Sequence, residues 1–179
     1  TKAILYRDLE KKKLVSLFKR FVSDDIGENL LHTRTQDLFL EQKQEITILF
    51  MDLNGFTAFA ESSEPDQVTQ QLNLYFDEMT KLIVKFGGTL DKYLGDGIMA
   101  LFGAPRKIFN HAERAVECAL AMQDRMQSIN TTWAKNNLKP LSASIGINSG
   151  VAVIGNMGSE TRFDFTALGD AVNLAARME

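Results

Sequence analysis

The sequence predicts an α+β domain in which helices cover one face of an antiparallel sheet. Three observations support this fold class: an apolar run suited to a buried strand, a tight-hairpin signal between two further strands, and two long stretches of helical periodicity. The chain has 179 residues, of which 45% are hydrophobic and 24% are charged. That composition is ordinary for one globular domain and excludes a disordered or fibrous class.

Composition also limits the partners and the compartment. The formal net charge is −3, so no global positive field indicates nucleic acid or a membrane surface as a partner of this fragment. The single cysteine, Cys118, excludes an internal disulfide and favours a reducing compartment. No apolar run approaches the roughly 20 residues that a bilayer span requires. We therefore expect a cytoplasmic protein, or the cytoplasmic portion of a membrane-bound parent.

Helices and a linker are predicted at the N-terminus. Residues 2–31 are predicted to be helical, because Leu14, Leu17, Phe18 and Phe21 recur at three- and four-residue steps among lysines. Ser23 is a candidate N-cap that separates two helices. A polar stretch over residues 33–44 is the candidate linker. We therefore divide the chain into an N-terminal helical segment, residues 1–44, and a main domain, residues 45–179.

The main domain begins with a buried strand. Residues 46–51 are almost continuously apolar and rich in β-branched and aromatic side chains, and the strand ends at Asp52. Helical spacing then starts at Pro65, a residue suited to the first position of a helix. Gly87 and Gly88 end that helix.

Turn and capping signals define the remaining elements: strands over residues 89–94 and 98–102, a helix over about 110–129, and strands over 141–148 and 151–156. The first hairpin turns at an Asp-Gly pair that includes Asp96, and the second turns at Gly150. Asn110 and Glu113 form a candidate capping box, and the adjacent His111 is interpreted as structural. The order β-α-β-β-α-β-β is a ferredoxin-like, palm-type pattern.

Two aspartates, Asp52 and Asp96, are candidate metal ligands. The predicted fold places both at strand ends or turns of the central sheet, where two carboxylates repel each other unless a cation lies between them. Hard oxygen ligands suit Mg²⁺ or Mn²⁺. The alternative is that Asp96 only favours a hairpin and Asp52 only caps a strand, and on spacing alone this alternative is the stronger.

The turn after Asp52 is a candidate phosphate-binding loop, with the sequence Leu53, Asn54, Gly55, Phe56 and Thr57. Its free backbone N–H groups can bind phosphate oxygens, and its glycine permits close approach. Most turns with a single glycine bind nothing, so the loop by itself is weak evidence.

Four ordered segments resemble the signatures of class III adenylyl and guanylyl cyclases. They are residues 50–57 (FMDLNGFT), 88–103 (GTLDKYLGDGIMALFG), 146–158 (GINSGVAVIGNMG) and 164–179 (DFTALGDAVNLAARME). The resemblance covers about residues 45–179 and implies the same palm-type fold. It implies an adenylyl cyclase that converts ATP to 3′,5′-cyclic AMP and pyrophosphate.

The resemblance implies two Mg²⁺ or Mn²⁺ ions per site, held by Asp52, Asp96 and the main chain of Leu53. In the family, the ions activate the ribose 3′-hydroxyl for in-line attack on the α-phosphorus. Asn173 and Arg177 lie four residues apart on one helix and match the transition-state pair. Asn173 is expected to orient the ribose, and Arg177 to stabilise charge on the phosphates. Asp170 is the expected N-cap of that helix.

Lys92 and Thr166 match the purine-reading pair of the family. Lys92 can only donate, which suits N1 of adenine, whereas guanylyl cyclases usually carry glutamate there. The Thr166 hydroxyl can accept from the N6 amino group but can also donate, so it discriminates less sharply than the aspartate of many adenylyl cyclases. The alternatives are a solvated lysine and a threonine that only favours a strand.

The family arrangement also implies a homodimer with shared sites. Two protomers associate head to tail, so that Asp52 and Asp96 of one face the purine-reading and transition-state residues of the other, and a monomer is expected to be inactive. The N-terminal segment resembles the signalling segment that links sensor domains to such catalytic domains, so we expect an upstream sensor. A plain packing helix is an equally good interpretation of that segment.

Two features depart from the family pattern. Ser144 occupies a position where many members have arginine, so an accessory phosphate contact is expected to be missing. The chain ends at Glu179, before strands that carry a triphosphate-binding lysine in the family, which makes activity of this fragment by itself doubtful. A guanylyl cyclase, which Lys92 disfavours, and a regulatory or dimerisation module that binds nucleotide without turnover are the rival functions.

Overall fold

A computed structural model describes residues 41–159 and 161–179 of the chain. The predicted N-terminal helices and most of the predicted linker lie outside the described residues, so the division at residue 45 stays a prediction. No helix in the described ranges is both long and apolar enough to cross a membrane.

The described chain forms five strands and four helices. In order they are β1 (Gln42–Leu53), α1 (Phe56–Glu61), α2 (Pro65–Lys85), β2 (Thr89–Leu94), β3 (Gly97–Phe102), α3 (His111–Lys135), β4 (Ala143–Gly158), β5 (Phe163–Leu168) and α4 (Asp170–Met178). The strands form one sheet in the order β2-β3-β1-β4-β5, and every neighbouring pair is antiparallel. This architecture confirms the predicted antiparallel sheet with helices.

Strand alternation divides the core between the two faces of the sheet. On β1, Leu49 and Met51 belong to the cluster that α2 and α3 cover, whereas Ile48 and Phe50 belong to the opposite cluster. The two long helices therefore lie on one face, as predicted. Helix α4 contributes its buried Ala175 to the cluster on the other face.

The predicted hairpin at Gly150 is wrong, because β4 is one continuous strand of 16 residues that passes through it. All twelve residues of β1 pair with β4, from Gln42 opposite Ile154 to Leu53 opposite Ala143. A Cβ on Gly150 would lie 3.0 Å from the Cβ of Ala171 in α4. The glycine therefore lies where a helix approaches the strand closely, and in the sequence such a glycine looks the same as one in a turn.

The predicted helix caps also need correction. Helix α3 begins at His111, but the side chain of Asn110 makes no capping hydrogen bond. Its Oδ1 instead accepts from Nε of Arg114 at 3.0 Å, so no capping box forms. The N-cap of α4 is Gly169, with φ 144°, and not Asp170. Asp170 lies in the first turn, where its carboxylate complements the helix dipole.

His111 belongs to a polar network that joins α3 to the sheet. Its Nδ1 lies 2.7 Å from Oγ1 of Thr47, and that oxygen lies 2.7 Å from Oγ of Ser149. Thr47 is completely buried on β1, so the network satisfies a polar group inside the core. This arrangement fits the structural interpretation of His111.

Candidate active site

The predicted metal ligands meet at one end of the central strands. Asp52 lies near the end of β1, and Asp96 lies in the turn between β2 and β3. Pairing of Met51 with Ile98 brings that turn beside Asp52. A Cβ on Gly97 would lie only 3.1 Å from Oδ1 of Asp52, so the carboxylate packs directly against the turn.

Electrostatics at this pair favour a bound positive charge. Burial, the charge of Asp96 and a hydrogen bond to that carboxyl raise the pKa of Asp52, and the N–H of Leu53 opposes the shift. Within the described ranges, no three His, Cys, Asp or Glu side chains converge as a metal-binding group. The protein side chains therefore offer two carboxylates, a set that fits a hard cation whose remaining ligands are main-chain and substrate oxygens.

Two residues near the carboxylates were not predicted from the sequence. Tyr75 of α2 is completely buried, and its hydroxyl has no hydrogen-bond partner in the part of the chain described. Burial, followed by the charges of Asp52 and Asp96, raises the pKa of Tyr75. Burial and the same two charges also raise the pKa of Glu179. In the sequence, Tyr75 lies in an apolar stripe at helical spacing, and a tyrosine in such a stripe is interpreted as an ordinary core residue.

Strand β4 holds the candidate phosphate loop in place. Asn54 donates from its backbone N–H to the carbonyl oxygen of Ser142 at 2.9 Å, and its Oδ1 accepts from Oγ of Ser144 at 2.8 Å. Ser144, which replaces an arginine of the family pattern, thus anchors the loop. Gly55 takes the left-handed conformation, with φ 72°, and is the N-cap of α1.

The other predicted loop residues differ in burial. Leu53 is buried at the end of β1, Phe56 packs partly against the core, and Thr57 is exposed. Two side chains of the turn, Leu53 and Phe56, therefore attach it to the domain.

The predicted purine-reading pair forms within one chain. Lys92 lies on β2 and Thr166 on β5, at opposite edges of the sheet. Nζ of Lys92 nevertheless donates to Oγ1 of Thr166 at 3.2 Å. Because each strand of a sheet is rotated relative to its neighbour, side chains from the two edge strands can meet in this way.

Asp91 completes this cluster and was not predicted from the sequence. Its side chain is completely buried; its Oδ2 accepts from Oγ1 of Thr166 at 2.7 Å, and its Oδ1 lies 3.3 Å from Nζ of Lys92. Burial raises the pKa of Asp91, whereas the Thr166 hydrogen bond and the Lys92 charge oppose that shift. A register shift between Leu90 and Lys92 places Asp91 at an irregularity of β2. Strict alternation would send Asp91 and Lys92 to opposite faces, so a bulge conceals this contact from sequence analysis.

Asn173 and Arg177 lie on the exposed side of α4. The helix is fixed to β4 by a 2.9 Å hydrogen bond from Nδ2 of Asn148 to the carbonyl oxygen of Ala171. A Cβ on Gly146 would lie 2.3 Å from the carbonyl oxygen of Ala175, so the end of the helix rests directly on the strand. The structure thus presents the predicted transition-state pair to the outside of the protomer.

Fold and site together define the chain as a nucleotide-cyclase type of catalytic domain. The model of the adenylate and guanylate cyclase catalytic domain family matches residues 38–179. The chain belongs to that family.

Individual relatives include both kinds of cyclase. Adenylate cyclase 1 of Rhizobium meliloti is 36% identical over 137 residues, which are 76% of this chain and 21% of that protein. The crystal structure of the adenylyl cyclase CyaB from P. aeruginosa is 39% identical with a TM-score of 0.75, over 77% of this chain and 72% of that one. The crystal structure of the guanylyl cyclase Cya2 is 43% identical with a TM-score of 0.73, over 76% of this chain and 69% of that one. The chain spans about a fifth of the length of the curated relative.

Proposed function

We propose that this chain is the catalytic domain of an adenylyl cyclase, which converts ATP to 3′,5′-cyclic AMP and pyrophosphate. The observation that carries the proposal is the contact of Lys92 with Thr166, 3.2 Å apart. Overall similarity does not select the base, since the guanylyl cyclase Cya2 is 43% identical and the adenylyl cyclase CyaB 39%. The two base-reading side chains do distinguish adenine from guanine, because Lys92 donates to adenine N1 and Thr166 accepts from the N6 amino group.

Asp52 and Asp96, with the main chain of Leu53, would hold two Mg²⁺ or Mn²⁺ ions. Burial, and after it the charge of Asp96, raise the pKa of Asp52, and this supports the role because a nearby cation would stabilise the ionised carboxylates. When bound, such ions acidify the ribose 3′-hydroxyl and neutralise the triphosphate, so that the 3′ oxygen can displace pyrophosphate from the α-phosphorus.

The remaining residues bind and orient the substrate. Backbone N–H groups of the loop over residues 53–57, other than that of Asn54, which donates to Ser142, contact phosphate oxygens, and Ser144 keeps that loop in position through Asn54. Asn173 orients the ribose. Arg177 stabilises the charge that develops on the phosphates through its planar set of donors.

The active form is a head-to-tail homodimer with two shared sites. This assignment is supported by the exposure of Asn173 and Arg177 on α4. Catalysis needs both side chains next to Asp52 and Asp96, and exposed side chains can reach those carboxylates on a second protomer. We assign residues 1–44 to a helical signalling segment below an upstream sensor domain. ATP as substrate and the reduced, buried Cys118 favour a cytoplasmic location.

The direct test is a Mn²⁺-dependent assay of the full-length protein with ATP and with GTP, in which the cyclic product is identified. We expect cyclic AMP, a higher kcat/KM for ATP, and loss of the product in Asp52→Ala. Higher kcat/KM for GTP would contradict the base assignment. Equal production by the wild type and Asp52→Ala would contradict the metal role, and binding of ATP without any product would indicate a regulatory module.

A further inference from the structure

The hydroxyl of Thr166 has one hydrogen, and the chemistry of its two partners assigns that hydrogen to Asp91. Oγ1 donates to Oδ2 of Asp91 at 2.7 Å and accepts from Nζ of Lys92 at 3.2 Å. A threonine hydroxyl offers one donor and two acceptor lone pairs. With the hydrogen on Asp91 and one lone pair facing Lys92, the group that remains for a ligand is an acceptor.

Asp91 is suited to hold that hydrogen while its carboxyl is ionised. Its side chain is completely buried, so water does not compete for the contact. Its second oxygen, Oδ1, lies 3.3 Å from Nζ of Lys92, and the ammonium charge compensates the buried carboxylate. An ionised carboxylate can only accept hydrogen bonds. The bulge after Leu90 lets two consecutive residues, Asp91 and Lys92, reach the same threonine.

We propose that Asp91 holds Thr166 as an acceptor-only group and thereby selects 6-aminopurine over 6-oxopurine nucleotides. This role of Asp91 rests on the proposed function, because it concerns the base-reading pair of that site. The N6 amino group of adenine donates to an acceptor, whereas the O6 oxygen of guanine in its place would face a second acceptor. Thr166 with Asp91 behind it thus discriminates as a carboxylate at position 166 would. Asp91 is a positioning residue, since it acts through Thr166.

The deciding variant is Asp91→Asn, which keeps the shape of the side chain. The new amide should turn its oxygen towards Lys92 and its NH₂ towards Thr166, because the opposite orientation would place two donors together. The amide then donates to Oγ1, and the freed Thr166 hydrogen can bind O6 of guanine. We expect the kcat/KM ratio of ATP to GTP to fall by about tenfold, the effect of one hydrogen bond that changes direction.

Two controls separate this role from a general effect of charge or packing. Asp164→Asn removes an exposed negative charge that acts on Asp91 without contacting Thr166, and it should leave the ratio unchanged. Thr166→Val should lower the ratio by itself. Adding Asp91→Asn to Thr166→Val should then change the ratio no further, since the hydroxyl through which Asp91 acts is gone. A further fall in the double variant would overturn the positioning role.

A binding measurement keeps this test independent of turnover. The dissociation constants of 3′-deoxy-ATP and 3′-deoxy-GTP, which cannot cyclise, should shift in ratio in Asp91→Asn as kcat/KM does. If the wild type makes cyclic AMP but neither ratio changes, the role of Asp91 is wrong and the proposed function stands. If the wild type makes no cyclic nucleotide but the binding ratio shifts, the proposed function is wrong and purine selection by Asp91 stands.

One measurement needs no variant and so does not depend on how Asp91→Asn folds. A hydroxyl proton donated to a buried carboxylate should exchange slowly with water and appear as a distinct NMR resonance of Thr166. A Thr166 hydroxyl in fast exchange would overturn the proposal.

Discussion

At the residue scale, the charge of Asp52 opposes folding of the domain, and the proposed cation would relieve this effect. Burial and the Asp96 carboxylate raise its pKa above the ordinary value of 3.8 in the folded state. For a raised pKa, the stability that Asp52 contributes is fully present below the unfolded pKa and is lost as pH rises through the folded pKa. The ionised form therefore destabilises the metal-free domain at neutral pH.

We expect Asp52→Asn to raise the thermal midpoint of unfolding at pH 7 in the presence of a chelator. The gain should shrink as pH falls towards the ordinary carboxyl pKa of 3.8, because the wild-type side chain is then protonated as well. Unfolding followed by circular dichroism across this pH range checks the effect, with the exposed Asp124→Asn as control. A lower midpoint for Asp52→Asn at pH 7 would refute the destabilising charge.

Tyr75 carries a second unfavourable feature, a buried hydroxyl without a partner among the described residues. Phenylalanine keeps the ring in the core and removes the unpaired group. We expect Tyr75→Phe to increase the free energy of unfolding by about 1 kcal/mol in urea titrations. A loss of stability would show that the hydroxyl has a partner, such as a bound water.

Site residues that belong to a sequence motif were predictable, whereas a site residue that is identified only by its contacts in the folded chain was not. Asp52, Asp96, Lys92 and Thr166 follow from ordered motifs, and the structure brings each pair together. Asp91 was hidden because the alternation of a regular strand places it opposite Lys92, and only the bulge in β2 reverses that placement.

At the element scale, the position of α4 depends on Gly146 of β4, which has no side chain to separate the helix from the strand. A Cβ on Gly146 would lie 2.3 Å from the carbonyl oxygen of Ala175 and 2.5 Å from the backbone nitrogen of Glu179. Backbone atoms cannot rotate away, so the helix itself must move. We expect Gly146→Ala to destabilise the domain by roughly 2 kcal/mol and to lower turnover by displacing Arg177.

Gly150→Ala is the matched control on the same strand. Its Cβ would meet only the Cβ of Ala171, at 3.0 Å, and a small shift relieves that contact. Urea denaturation and steady-state rates of both variants make the comparison. If Gly146→Ala is as stable and active as Gly150→Ala, the packing described for the end of α4 is wrong.

The elements themselves were predictable to the extent that local signals defined them. The long helices and β2 follow from periodicity and turn residues, and α3 continues to Lys135 because Ile129 and Trp133 extend its buried stripe. Gly150 was misinterpreted because, in the sequence, a glycine at a close helix contact looks the same as a glycine in a turn. That distinction depends on α4, which lies far along the chain.

At the scale of the whole molecule, the order of the strands in the sheet cannot be predicted from local sequence patterns. β2 and β5 are at opposite edges of the sheet, yet Lys92 and Thr166 touch. Only the twist and curl of the complete sheet make this contact, and they arise from pairings between distant segments. The same holds for the proposed dimer, in which one protomer would supply the carboxylates and its partner would supply Arg177.

The measurement that tests the central claim most directly is complementation between two inactive variants. Asp52→Ala removes a proposed metal ligand, and Arg177→Ala removes the proposed transition-state cation, so each protein alone should produce almost no cyclic AMP from ATP. In a mixed dimer, one site combines the intact halves of both chains. Random mixing should therefore restore about a quarter of wild-type activity, since half of the dimers are mixed and each has one working site. An inactive mixture that still dimerises would contradict the shared site.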